Sequence, residues 1–127
     1  MSRTVYDTRF FIEHYYSKDA KVLKRTLEEK RSREKYISAI VIHEVYQLTL
    51  AREGRETAVL RTTLLEKDFR IVPVDIEVAR LSAELRHKYK LSMGDSMIAA
   101  TASRLKASCF SDDPHFQRVK EIKTKWI

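Results

Sequence analysis

Gly94-Asp95-Ser96-Met97-Ile98-Ala99-Ala100-Thr101-Ala102, followed after a few residues by Cys109-Phe110-Ser111-Asp112-Asp113-Pro114, is the stretch whose reading decides the fold. Ser92-Met93-Gly94-Asp95 matches a capping box, a hydroxyl with an acid three residues later that satisfy the first N–H groups of a helix. The spacing predicts a helix from Ser92 to about Leu105. Ala107 to Phe110 then reads as a short strand. Asp113-Pro114 has the chemistry of a helix cap followed by a first-position proline. Helix, short strand, acid and helix in succession are one repeat of an α/β protein.

The same alternation extends outward. Thr4 to Tyr6 reads as a short buried strand, followed by helices over Arg9 to Tyr16 and Lys18 to Lys35. The alternating charges of the second mark a solvated face. Tyr36 to Ser38 is a second strand. A helix from about Ile40 to Arg52 ends at Gly54 as its C-cap, and another covers Thr57 to Lys67. Phe69 to Val74, β-branched and interrupted by Pro73, reads as a third strand. Ile76 to Tyr89 carries Val78, Leu81 and Leu85 at helical spacing, with Asp75 as cap. Phe116 to Val119 is a helical turn, and Ile122 to Trp126 a last strand. Only two glycines and two prolines interrupt the chain, so loops are short. The expected fold is α/β: a three-layer α/β/α sandwich with a short-stranded, mostly parallel sheet covered on both faces. Neither linker nor repeat divides the chain, so residues 1–127 are expected to form a single domain.

Composition narrows the chemistry. Of 127 residues, 43% are apolar, enough for a core, and 34% are charged with mixed sign, which excludes compositional disorder. Lys and Arg number 25 against 18 acids, a net +7, and that excess favours polyanionic partners such as RNA. One cysteine, Cys109, excludes an internal disulfide and fits a reducing cytoplasm. There is no thiolate spacing for structural zinc. The start of the chain has no signal-peptide apolar run. The longest apolar stretch, around Ile37 to Ile42, is too short to cross a bilayer. A cytoplasmic protein with no membrane contact is therefore expected.

Asp7, Glu44, Asp95 and Asp113 are the candidate site. In a parallel sheet, ligands bind beyond the carboxyl ends of the strands, where Asp7 and Asp113 each follow a strand and precede a helix. Asp95 lies in the first turn of its helix, and Glu44 sits in the apolar run Ile40-Val41-Ile42-His43-Glu44-Val45. Taken singly, each has a structural role open to it. The aspartates can cap helices or complement their dipoles. Glu44 can turn outward or pair with a cation such as Arg9. Jointly, carboxylates in one pocket repel one another and need a cation, and oxygen donors suit a hard divalent ion. His43 and His115 read as packing or surface residues.

The segments Val5-Tyr6-Asp7-Thr8, Ile40 to Val45, Gly94 to Ala102 and Phe110-Ser111-Asp112-Asp113-Pro114-His115-Phe116 resemble, in order and spacing, the PIN-domain nucleases. Within that family they look like the VapC-type toxins of toxin–antitoxin pairs. The resemblance covers nearly the whole chain. It implies a PIN-like fold and a metal-dependent endoribonuclease that uses one or two Mg²⁺ or Mn²⁺ ions held by Asp7, Glu44, Asp95 and Asp113. Thr8, Ser111 and Asp112 become supporting residues; apart from the resemblance, the basic residues Arg9, Lys88 and Lys90 are candidate contacts to the backbone of an RNA substrate. The implied partners are a small antitoxin and a second copy of the chain. One residue departs from the pattern: Arg9 stands where the family commonly has a small polar side chain, which leaves open a catalytically weak or inactive RNA- or protein-binding module. A phospho-acceptor receiver domain expects an acidic pair near the first strand and a lysine after a late one, and this chain has neither. Phosphatases with an Asp-x-Asp nucleophile lack their second acid in Asp7-Thr8-Arg9.

Overall fold

The structure is a computed structural model that describes residues 3–29 and 34–127. Among the described residues the sheet has five strands, all parallel: β1 (Thr4–Tyr6), β2 (Lys35–Ser38), β3 (Arg70–Val72), β4 (Ser108–Phe110) and β5 (Lys123–Lys125). The order across the sheet is β3-β2-β1-β4-β5. From β1 the chain builds outward to β2 and β3, then returns to lay β4 on the other side of β1. That reversal opens a crevice between β1 and β4 at their carboxyl ends, the usual binding position in open α/β sheets.

Among the described residues seven helices connect the strands: α1 (Thr8–Tyr16), α2 (Ala20–Glu29), α3 (Ala39–Glu53), α4 (Arg55–Asp68), α5 (Ile76–Tyr89), α6 (Met93–Leu105) and α7 (Pro114–Gln117). The fold is the expected α/β/α sandwich, with a sheet that is wholly rather than mostly parallel. Several boundaries are corrected. Lys35 belongs to β2, where it pairs with Thr4, so the helix expected over Lys18 to Lys35 is described only from Ala20 to Glu29, and residues 30–33 lie outside the described residues. The turn expected at Phe116 to Val119 forms earlier, at Pro114–Gln117, because Asp113 caps it: the His115 N–H donates to Asp113 Oδ1 at 2.9 Å. β3 stops at Val72, one residue before Pro73, which has no N–H for a ladder.

The core explains why such short strands suffice. Val5, Ile37 and Cys109 of the central strands are completely buried. The aromatic rings of Tyr6, Phe10, Phe11, Phe69 and Phe110 contact one another around the β1–α1 junction at centroid separations of 4.9–5.4 Å. Each such side chain contributes about 1.5–3 kcal/mol by burial. Helix α6 supplies Ile98, Ala99, Ala100, Thr101 and Ala102, all fully buried. Its small side chains let it lie against β1, β2 and β4 on one side while α5 packs on the other. The Oγ atoms of Ser82 and Ser96, 2.9 Å apart, tie the two helices together. Among the described residues no helix is long and apolar enough to cross a membrane.

Candidate active site

β1 ends in a buried acid. Asp7, 3% exposed, takes the N-cap position of α1, yet its side chain makes no capping bond. Its carboxylate turns instead toward β4, where Ser111 Oγ donates to Oδ2 at 2.6 Å. The two strand ends are further joined by the Asp7 N–H bonded to the Phe110 carbonyl. Burial pushes the Asp7 carboxyl up from 3.8 to about 7, the Ser111 bond opposes that, and the charges of Asp95 and Glu44 add to it. The charged form is disfavoured because the carboxylate is cut off from water and faces like charges.

Glu44 comes from α3, whose buried stripe is Val41, Val45 and Thr49. It is half-buried, and Thr8 Oγ1 donates to Oε1 at 2.6 Å. Its other oxygen lies against the first turn of α6, where a Cβ added to Gly94 would stand 2.8 Å from Oε2. Neither alternative for Glu44 describes the molecule: it does not turn outward, and Arg9 is not its partner.

Asp95 is the third residue of α6. Its N–H donates to Ser92 Oγ at 3.2 Å, so the expected cap is present. Its carboxyl is half-buried and raised above its usual range, first by burial and then by the charges of Asp113 and Glu44. Asp113 caps α7 and also meets His115, whose Nδ1 lies 2.7 Å from Oδ1. One ligand atom from each of Asp95, Asp113 and His115 falls within 4.8 Å of the others. His115, read from sequence as packing or surface, is exposed but stands at this cluster. His43 is exposed on α3.

The sequence-predicted basic residues take different places. Arg9 forks onto Asp112, with Nε 3.1 Å from Oδ1 and Nη2 3.2 Å from Oδ2. Lys88 bonds Glu121 at 3.1 Å, which also accepts from the Tyr89 hydroxyl. Lys90 is the left-handed C-cap of α5 and, with Arg86, His87, Met93 and Met97, lines a groove of about 600 Å³ between α5 and α6. Gly94, to which the sequence assigns no role of its own, leaves the space that Glu44 fills. Its motif was visible, but the approach of Glu44 is a contact between distant segments. Cys109 is fully buried and its thiol is pushed up by burial, the behaviour of a small core residue.

Carboxylates at the end of β1, on α3, on α6 and in the β4–α7 turn, placed within reach of one another's charge at a strand-order reversal, define an α/β protein with an acidic crevice. The PIN domain family model matches residues 4–122, and the chain belongs to that family. Similar solved structures carry the same fold. DNA-bound VapBC from Salmonella typhimurium aligns with a TM-score of 0.80 and 17% identity, over 99% of this chain and 98% of the other. A toxin–antitoxin complex from Klebsiella pneumoniae gives 0.76 and 25%, over 98% and 99%. VapC20 of Mycobacterium tuberculosis, a sarcin–ricin loop cleaving toxin, gives 0.75 and 18%, over 90% and 92%. A sequence search of curated proteins finds no match.

Proposed function

We infer that this protein is a metal-dependent endoribonuclease and the toxin of a toxin–antitoxin pair. The observation that carries the reading is Asp7: a carboxyl only 3% exposed that accepts from Ser111 and faces the charges of Asp95 and Glu44. A cation among these groups relieves that repulsion. The donor set is carboxylate oxygens with one imidazole at the edge, which fits Mg²⁺ or Mn²⁺ and not a thiolate-seeking metal.

Asp7, Glu44, Asp95 and Asp113 would hold one or two such ions. What an ion supplies when bound is water activation and charge neutralisation at the phosphate. The chain's own residues set the geometry. Ser111 fixes Asp7 through Oδ2, Thr8 fixes Glu44 through Oε1, and His115 steadies Asp113. The free oxygens of these carboxylates are thereby oriented before substrate arrives, so little ordering is left to the moment of reaction. The net charge of +7 draws an RNA strand toward the molecule.

A small antitoxin is the proposed partner. It would find apolar purchase between α1 and α4, where Leu60 and Leu64, 60% and 46% exposed, stand beside Phe11 and Tyr15. The proposed homodimer would use the α5–α6 groove with the exposed Met93. The rival reading, an inactive RNA- or protein-binding module, draws equally on the basic charge and on Arg9 beside the pocket; the ion pair of Arg9 with Asp112 favours the catalytic reading.

Purified protein should cleave RNA with Mg²⁺ or Mn²⁺, lose cleavage in EDTA and regain it on adding back the ion. Asp95→Asn should abolish cleavage while leaving the metal-free fold as stable or more so, since it removes one of several repelling charges. Cleavage that survives thorough chelation would refute the metal mechanism, and a marked drop in metal-free melting temperature would return Asp95 to a capping role.

A further inference from the structure

Arg9 sits in the first turn of α1, two residues past Asp7, and Asp112 lies between Ser111 and Asp113. Their ion pair therefore spans the two strand ends that form the acidic crevice. The contact is a planar fork of two donors on two oxygens of one carboxylate, the geometry that fixes a guanidinium in orientation as well as position. The pair is at the rim: the side chains are 47% and 34% exposed. An ion pair so exposed adds little to stability. The fork turns the guanidinium onto Asp112 at the rim, while the charge of Asp7 still acts on it. Nε and Nη2 are occupied, while Nη1 has no partner among the described residues and remains available as a donor.

We propose that Arg9 grips the RNA phosphate next to the scissile bond, and that Asp112 is a positioning residue that aims it. The proposal rests on the nuclease reading above and adds the residue that brings a polyanion to an acidic pocket. A strand approaching Asp7, Glu44 and Asp95 meets negative charge, and a cation on the lip offsets that repulsion where the backbone enters. Arginine suits the task because its fork bonds Asp112 along one edge and presents further N–H groups to phosphate oxygens along another. Held in advance by Asp112, it loses less side-chain freedom when RNA binds.

The test uses the full chain and a single-stranded RNA oligonucleotide. Cleavage is followed with Mn²⁺ over a range of salt, and anisotropy measures binding in EDTA. Arg9→Ala should raise KM about tenfold with a smaller change in kcat, and should lower the slope of log affinity against log salt by about 0.7, the loss of one phosphate contact on a single strand. Arg9→Lys should recover the salt slope but only part of the affinity, because a lysine cannot fork. Asp112→Ala should keep the salt slope and raise KM about threefold, and should add little to Arg9→Ala, since the two act as a unit. An Arg9→Ala protein with unchanged KM and salt slope, or with faster cleavage or a lower Mn²⁺ requirement, would overturn the proposal; the last two would make Arg9 a plug. A wild-type protein that cleaves nothing while binding RNA through Arg9 would instead sink the nuclease reading, and with it the placement of Arg9 beside a scissile bond, leaving only a phosphate contact.

Discussion

Gly94 has no side chain, and Glu44 occupies the space. A methyl group there would stand 2.8 Å from Glu44 Oε2, too close to coexist with it. The obstructing atom is the end of a flexible side chain, so Gly94→Ala should fold normally. It should even gain about 1 kcal/mol from helix propensity. Glu44 would be displaced, however, and a misplacement near 1 Å can cost about a hundredfold in rate. The variant should therefore melt at or above the wild-type temperature while cleaving at least tenfold more slowly; equal activity would detach Glu44 from the site. Asp7, Glu44, Asp95 and Asp113 were legible as candidates because each acid stands in an apolar or strand-end setting. The Arg9–Asp112 fork was not, because the two residues are over a hundred positions apart and many acids are available to any arginine.

At the scale of elements, the bond from Ser111 to Asp7 couples the end of β4 to the end of β1. Ser111 stabilises the charged form of Asp7, and removing it would push that carboxyl higher. Ser111→Ala should shift the acidic limb of the pH–rate profile upward, with cleavage recovering at more alkaline pH. A profile identical to wild type would show that Asp7 titration does not govern the rate. Helices α5 and α6 were read nearly to the residue because Asp75 and Ser92 cap them as their sequences announce. Strand ends were read less well. Three-residue strands have little periodicity of their own, and β5, with exposed Lys123 and Lys125, is defined by its pairing with β4.

At the scale of the whole molecule, the acidic crevice makes stability depend on pH. The Asp7 carboxyl is raised from 3.8 to about 7. Between those values the folded state keeps a proton that the unfolded state has lost, so metal-free stability falls as pH rises through that window. The fall is of the order of 4 kcal/mol, at about 1.4 kcal/mol per unit. The raised carboxyl of Asp95 works in the same direction. Thermal melts in EDTA should decline from about pH 4 to pH 7. Asp7→Asn should flatten that decline, and added Mg²⁺ should raise the wild-type melting temperature most at neutral pH and above. Equal slopes for wild type and variant would place the strain elsewhere. The alternating pattern of helix and short strand announced a parallel sheet. It did not reveal the strand order, and it is the reversal between β1 and β4 that brings Asp7 and Asp113 to one crevice.

The most direct test is an anomalous difference map from crystals soaked in Mn²⁺. A peak about 2.1 Å from carboxylate oxygens of Asp7 and Asp95, lost in Asp95→Asn crystals, is the expected result. A fully soaked crystal with no peak among Asp7, Glu44, Asp95 and Asp113, or with its peak at another surface, would contradict the account.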